Sequence, residues 1–293
     1  MKTIICFGEV LWDVLPTGRK LGGAPLNVAL RAQSWGNSAK MISSIGKDHM
    51  GEELAREIKN HGGSLEHIQV DEQYPTSEVL VSLDENGSAS YEIKMPCAWD
   101  HISLLEKDME AVEASDAFIY GSLVARSSTS RETLLGLLEK ARFRVFDVNL
   151  RPPHYTPERI ISLMEFADFV KFNDDELKEI CTCLDFLSGN LEESMSFLAR
   201  KTGTSQICVT LGKDGAVLLY NNEFYYNKGY KVKVADTVGA GDSFLATIVA
   251  RLLNGSHPQD ATDFACAVGA IVASKNGANP KLTLAEVRRM MAS

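Results

Sequence analysis

At 293 residues, 45% hydrophobic and 24% charged, the chain has an ordinary globular composition and enough length to bury one large core. Its net charge of -9, with acidic and basic residues interspersed and no basic run, excludes nucleic acid as the main partner, because a phosphate backbone is held by clustered Lys and Arg. No apolar run approaches the length of a bilayer span, so no membrane partner is expected.

The apolar stretch within Met1–Gly8 ends at Glu9, which reads as a buried strand over Thr3–Phe7 rather than a targeting segment. A helix over Pro25–Trp35 follows, with Pro25 at its first position, where the missing N–H costs nothing. Ala39–Ile45 reads as a strand and Met50–His61 as an amphipathic helix stopped by Gly62-Gly63. Thr76–Leu83 and Ala89–Lys94 alternate apolar and polar residues around the turn signal Asp84-Glu-Asn-Gly87. Strands with one wet face do not belong inside a sheet covered on both sides. They predict a small β flap, joined by the segment Val10–Leu21.

The alternation then resumes: strand Ala117–Tyr120, helix Ser130–Ala141, strand Arg144–Val148, a helix after Pro157, strand Phe169–Phe172 and a helix from Asp174. Gln206–Thr210 is another apolar β-type run, and Ala216–Val234 reads as short strands with turns at Asn221-Asn222 and Lys228-Gly229. Short β-branched runs alternating with helices predict an α/β fold with a mostly parallel sheet covered on both faces. With no repeat or linker, the chain reads as one domain over 1–293 with an excursion.

The six cysteines, Cys6, Cys97, Cys181, Cys183, Cys208 and Cys266, have no second close pair or histidine at zinc spacing. They read as reduced structural thiols in a cytoplasmic protein. The histidines show no pairing at helical spacing, so no catalytic zinc site is expected.

The most informative stretch is Asp236-Thr-Val-Gly-Ala-Gly-Asp242-Ser. A glycine-rich turn that opens a helix gathers backbone N–H groups where the helix dipole is positive, which makes an anion site. Asp242 puts a carboxylate at its mouth. That suits a base taking a proton from a hydroxyl while the N–H groups hold a phosphoryl group. The dinucleotide fingerprint fails, because the position three after Gly241 is Phe244 and the motif lies late in the chain. No G-x4-G-K-[ST] or protein-kinase signature exists either. On this motif alone, an anion hole and a structural helix start both stay open.

A second glycine pair, Gly22-Gly23-Ala-Pro-Leu-Asn27, precedes a helix with Asn27 on its first turn. Glycines let backbone approach a ligand, and Asn offers donor and acceptor groups to hydroxyls. A plain tight turn is the alternative. Asp13 lies just before and has the capacity to accept two hydroxyl hydrogen bonds.

With both glycine motifs in this order, the chain resembles the ribokinase-like sugar kinases, also called the PfkB carbohydrate kinases. Intermediate features agree: Ser44-Ile-Gly46-Lys-Asp48-His-Met-Gly51, Asp147-Val-Asn149-Leu-Arg151, Asn173-Asp-Asp-Glu176 and Val209-Thr-Leu-Gly212. The resemblance runs from Ile5 to about Pro280. It implies a three-layer α/β/α fold with a small β-sheet lid formed from about 10–22 and 74–99.

The resemblance also implies roles. Asp242 is the general base, and the N–H groups of Gly239, Ala240 and Gly241 form the anion hole. Asp13, Gly22, Gly23 and Asn27 bind the sugar. Arg151 does so in the fructokinase and ketodeoxygluconate-kinase branches, with a surface arginine as the alternative. Asn173 and Glu176 organise Mg²⁺ and phosphate through water, although Asn173-Asp-Asp-Glu176 also reads as a helix cap. Thr210, Gly212 and Gly215 lie along ATP, and the loop from Ser274 to Asn279, with Asn276 and Asn279, shelters its adenosine. Asp236, with carbonyls near Val238 and Gly277, matches a monovalent-cation site for K⁺.

Gly23-Ala-Pro25 favours the fructokinase branch. The expectation is an ATP-dependent fructokinase. The alternatives are a ketodeoxygluconate, ribose, hexose or nucleoside kinase of the same fold, and, from another class, an inactive sugar sensor. The lid closes over the sugar and excludes water, and its flat outer strands pair two copies into a homodimer.

Overall fold

The computed structural model describes residues 1–15, 18–83 and 89–292; the turn expected over Asp84–Gly87 lies outside them. Strand β1 (Thr3–Phe7) leads to the antiparallel pair β2 (Leu11–Leu15) and β3 (Gly18–Gly22), then helix α1 (Ala24–Ser34). Strand β4 (Ser38–Gly46), helix α2 (His49–Asn60), strand β5 (Ile68–Asp71) and a second pair, β6 (Ser77–Leu83) and β7 (Ala89–Ile93), follow. Next come α3 (Glu106–Glu113), β8 (Ala117–Gly121), α4 (Ser128–Leu138), β9 (Arg144–Asp147), α5 (Pro157–Glu165), β10 (Phe169–Asn173) and α6 (Asp174–Cys183). The chain continues through α7 (Leu191–Thr202), β11 (Gln206–Thr210), β12 (Ala216–Tyr220), β13 (Glu223–Asn227), α8 (Ala240–Leu253), α9 (Pro258–Ala273) and α10 (Leu284–Met291).

The large sheet has nine strands in the order β13-β12-β11-β10-β9-β8-β1-β4-β5. Neighbours from β11 to β5 are parallel, and β12 and β13 complete one edge antiparallel. Alternation along the strands splits the core. Ile5, Phe7, Phe118, Phe146 and Phe172 face α4–α7, whereas Ile4, Cys6, Ile119, Val145 and Phe169 face α1, α8 and α9. Strands buried on both sides need no polar face, which is why their sequences read as continuous apolar runs. The chain builds β4 and β5 on one side of β1, then returns to build β8 onward on the other. A crevice opens at the carboxyl ends of strands where the order reverses in this way.

The smaller sheet, β3-β2-β6-β7, stands over those carboxyl ends. Its described strands run from Leu11 to Ile93; Cys97 and Trp99, at the end of the range expected for the lid, are fully buried in the main core. Trp12 ties the lid to α2 by donating from Nε1 to the Met50 carbonyl at 3.1 Å. Asp48 fixes the entry to β6: it accepts from Gly51 N at 2.7 Å, Thr76 N at 2.8 Å and Thr76 Oγ1 at 2.8 Å. Arg126 fixes the exit from β7, donating to the Lys94 carbonyl at 2.8 Å while held by both oxygens of Asp100.

Two local readings need correction. The run Ala216–Val234 contains two strands, not more: Asn221 and Asn222 turn the chain at positive φ, and residues 228–234 have no regular structure. Helix α1 begins at Ala24, so Pro25 is its second residue, with Gly23 as the cap. Strand β5 and helices α3, α7, α9 and α10 had no sequence expectation; β5 alternates apolar and polar residues over only four positions, none of them buried, which is too short a run to announce it.

Candidate active site

A cleft of about 1270 Å³ separates the lid from the carboxyl ends of the parallel strands, and both glycine motifs open into it. Its floor is the first turn of α8. Gly239 caps that helix in the left-handed region at φ 75°, and a Cβ there would stand 2.5 Å from Ala278 Cα. Only glycine satisfies both demands. Helix starts leave N–H groups without intrahelical partners. Here Ala240 N–H is turned onto the Thr237 carbonyl at 3.2 Å, while those of Gly241 and Asp242 have no partner among the described residues. Of the three N–H groups expected to hold an anion, Ala240's is therefore engaged in its own turn.

Asp242 and Gly241 line the cleft, and Asn27 reaches Asp242 from the first turn of α1. Asn27 donates from Nδ2 to Asp242 Oδ2 at 2.8 Å, and its Oδ1 accepts from Asn279 Nδ2 at 2.8 Å. These bonds fix the Asn27 amide orientation and place Asn279 against α1. Buried Arg31, one turn further on, donates to Ser243 Oγ at 3.0 Å and to the Pro280 carbonyl at 3.0 Å. Helices α1 and α8 and the 276–280 loop are thus locked around the carboxylate. Burial, then the negative charge of Asp147, pushes the Asp242 carboxyl up to about 6; the Asn27 hydrogen bond, Lys171 and Arg151 hold it back.

The lid presents a row across its strands: Lys20, Asp13, Val79 and Ile93 are in register from β3 to β7, and all four line the cleft. Burial pushes the Asp13 carboxyl up to about 6, against the pull of Arg151 and Lys20. Gly22 ends β3 opposite Leu11 and closes against the Asp13 side chain. Gly23 has φ 111°, and a Cβ there would meet the Glu9 carbonyl at 2.4 Å. Arg151 lines the cleft and, among the described residues, donates from Nη1 to the Leu150 carbonyl at 2.9 Å.

At the other end, Asn173 and Glu176 form a capping box for α6: Glu176 N donates to Asn173 Oδ1 at 2.8 Å, and Asn173 N returns to Glu176 Oε2 at 2.8 Å. Glu176 Oε1 accepts from Leu150 N at 2.9 Å. Each oxygen of this buried carboxylate therefore already holds one backbone donor, and burial, offset first by Lys171, raises its pKa. Asn173, Thr210 and Asn276 line the cleft. Gly212 and Gly215 do not. They shape the turn after β11, where Gly215 packs against Asn227 and Gly229. Asp236 Oδ1 accepts from Val238 N at 3.0 Å and Oδ2 from Gly277 N at 3.1 Å, with Lys20 Nζ 3.7 Å away.

The structure adds two residues that sequence reasoning passed over. Glu9 is 4% exposed at the cleft wall; its Oε1 accepts from Ala24 N at 3.2 Å, and burial pushes its carboxyl up to about 7. Lys171, 6% exposed, pairs with Asp147 at 3.0 Å beneath Gly241. The available signal was Lys171 alone inside the apolar run Phe169–Phe172, a charge a central strand would otherwise avoid.

With this geometry in place, comparison with known proteins is specific. The profile described as pfkB family carbohydrate kinase matches residues 3–284. Fructokinase-2 of Solanum lycopersicum is 28% identical over 314 residues, covering 96% of this chain and 93% of that protein. The fructokinase of Salmonella typhimurium is 28% identical over 269 residues, covering 87% and 86%. Among solved structures, an uncharacterized sugar kinase from Pyrococcus horikoshii superposes with a TM-score of 0.83 at 26% identity over 99% of both chains. A double mutant of the fructokinase from Vibrio cholerae O395, bound to fructose, ADP and potassium, has a TM-score of 0.85 at 23% identity over 99% of this chain and 98% of that one. The 2-dehydro-3-deoxygluconokinase of Thermotoga maritima has 0.86 at 18% identity over 100% of each. The last two report the shared ribokinase-like fold.

Proposed function

The chain belongs to the pfkB family of carbohydrate kinases, and we propose that it transfers the γ-phosphoryl group of ATP to a primary hydroxyl of a small neutral sugar, with fructose as the acceptor. The observation that carries this reading is the Asp242 carboxylate, oriented by Asn27 on the first turn of α8 beside unpartnered N–H groups. An acceptor hydroxyl between the two loses its proton to Asp242 as its oxygen attacks the γ-phosphorus in line, and the bond from that phosphorus to the oxygen bridging to the β-phosphate breaks to release ADP. The N–H groups of Gly239, Gly241 and Asp242 take the charge on the phosphoryl oxygens. Ala240 joins them if phosphate displaces the Thr237 carbonyl. Asp13, Gly23, Asn27 and Arg151 hold the sugar, with Gly22 shaping Asp13. Asn173, Thr210 and Asn276 lie along ATP, with Gly212 and Gly215 forming the turn behind it. Asn279 acts through Asn27.

The electrostatics favour a neutral acceptor. Three carboxylates, Glu9, Asp13 and Asp242, share the exposed Arg151 as a positive neighbour that offsets part of the rise burial gives each of them, helped by Lys20 at Asp13 and by Lys171 at Asp242. A sugar acid such as ketodeoxygluconate would bring a further carboxylate among them, at a like-charge cost. The fructokinase names of the relatives support fructose within the neutral class.

For Mg²⁺, Asn173 lines the cleft while Glu176 is buried behind it with each oxygen already accepting an N–H, so the pair suits a role through water rather than direct coordination. When bound with ATP, the ion would neutralise charge on the phosphoryl oxygens. Potassium fits less well at Asp236, whose oxygens are engaged by Val238 and Gly277 and where the Lys20 ammonium competes. We also propose that two copies pair through the lid, where β7 is an edge strand with β6 as its sheet neighbour. A strict monomer at micromolar concentration in sedimentation would remove that pairing. The six free cysteines suit a reducing cytoplasm.

The test is ADP release from Mg·ATP across a panel of sugars, including fructose, ribose and ketodeoxygluconate, for the protein and its Asp242→Asn variant. Turnover highest with fructose and lost in the variant supports the reading. Preferred turnover of ketodeoxygluconate overturns the neutral-sugar assignment. Sugar binding without turnover on any acceptor favours a sensor that has kept the fold.

A further inference from the structure

Lys171 lies on β10 and Asp147 faces it at the matching register of β9. Its Nζ donates to Asp147 Oδ1 at 3.0 Å, while Asp147 Oδ2 is buried without a partner among the described residues. On its other side the ammonium lies directly under the anion turn, since a Cβ on Gly241 would be 3.3 Å from Nζ. Burying an ammonium is costly, and an apolar side chain would fill a central strand without that cost. The sheet does not require Lys171; the site above it supplies the reason.

We propose that the Lys171 ammonium, braced by Asp147 and admitted by the bare Cα of Gly241, is the fixed positive charge beneath the anion turn that keeps Asp242 ionised as a base. Four other groups face Asp242. Asp147 comes from the end of β9, Arg151 from the loop after it, Glu9 from the segment after β1, and Asn27 from α1. Glu176, on α6, faces Lys171. Glu9 and Asp147 both oppose a negative charge on Asp242. Of the two cations, Arg151 is solvent-exposed and carries one bond to its own neighbour's carbonyl, whereas Lys171 is clamped. Although burial works against its charge, Asp147 and Glu176 raise the Lys171 pKa, so it stays protonated. Lys171 is thus a positioning residue. Its catalytic consequence rests on the kinase reading; its effect on the carboxyl group does not.

The test follows the carboxyl carbon of Asp242 by NMR in aspartate-labelled protein, assigned with Asp242→Asn, beside the pH profile of kcat/KM for fructose. In Lys171→Met the Asp242 midpoint rises by about one pH unit or more, and in Asp147→Asn it falls. The acid limb of the rate profile moves in the same two directions. If Lys171→Met does not fold, Lys171→Gln carries the test, because its amide is able to donate to Asp147 without the positive charge, and the midpoint again rises. An unmoved or lowered midpoint in the variant that folds overturns the proposal. If titration moves as described while no sugar is phosphorylated, the kinase reading fails and the charge assignment stands. Turnover with an unmoved titration overturns the charge assignment and leaves the kinase reading intact.

Discussion

Asn27 and Asp242, 215 residues apart in sequence, are joined by one 2.8 Å hydrogen bond from Nδ2 to Oδ2 across the floor of the cleft. The bond orients the carboxylate and lowers its pKa against burial. Asn27→Ala removes a hydrogen bond to a charged group, worth about 1.5–3 kcal/mol. We expect kcat/KM for the sugar to drop ~10- to 100-fold, with the acid limb displaced to higher pH. Steady-state rates between pH 5 and 8 measure both, and an unchanged limb would separate Asn27 from the base.

Asp242 also sets a stability cost. Its carboxyl is raised from 3.8 to about 6 in the folded chain. A raised carboxyl favours folding when protonated, so its contribution is intact below pH 4 and is lost as pH rises through about 6. Asp242→Asn therefore abolishes turnover yet stabilises the protein at pH 8 by ~2 kcal/mol, with no gain at pH 4. Urea unfolding at the two pH values measures the difference.

Gly239→Ala places a methyl 2.5 Å from Ala278 Cα at a φ of 75°. The left-handed conformation alone costs ~1–2 kcal/mol, and the backbone contact forces the 276–280 loop away. Thermal unfolding at least ~1–2 kcal/mol less stable, together with weakened ATP binding by calorimetry, is the expected pair of outcomes. Stability lost without any effect on ATP would assign Gly239 to packing alone.

Arg126 and Asp100 root the lid through a buried bidentate ion pair, with the guanidinium 4.0 Å over the Trp99 ring. Arg126→Met leaves Asp100 buried and unpaired, a loss of ~3–5 kcal/mol. Arg126→Met combined with Asp100→Leu removes both charges and should recover much of it. Hydrogen exchange at Lys94 and along β7 should quicken in both variants, because the carbonyl bond from Arg126 is gone. Slow exchange in the single variant would show that the lid is held elsewhere.

The glycine motifs were legible because each performs a local task with few residue solutions, and Asn27 and Asp242 stood out only as members of those motifs, their mutual bond being invisible in the sequence. Gly239 must take a left-handed cap against Ala278, and Asn173 with Glu176 closes a capping box within one turn. The strands of the large sheet were legible because burial on both faces leaves a continuous apolar run. Glu9, Lys171 and Arg126 were not. Each is a charged residue whose meaning lies in a partner distant in sequence: Glu9 meets Ala24, Lys171 meets Asp147, and Arg126 meets Asp100. Local patterning treats such charges as solvated.

By itself, the sequence determined the α/β architecture, the family and the glycine-rich turn that opens α8 with Asp242 on it, because backbone sterics and alternation are written in neighbouring residues. Tertiary structure decided how that carboxylate is charged. The reversal of strand order beside β1 gathers Glu9, Asp147, Lys171 and Asp242 at strand ends and one helix start. At such distances in a poorly solvated cleft, electrostatic coupling depends on separation in space rather than along the chain.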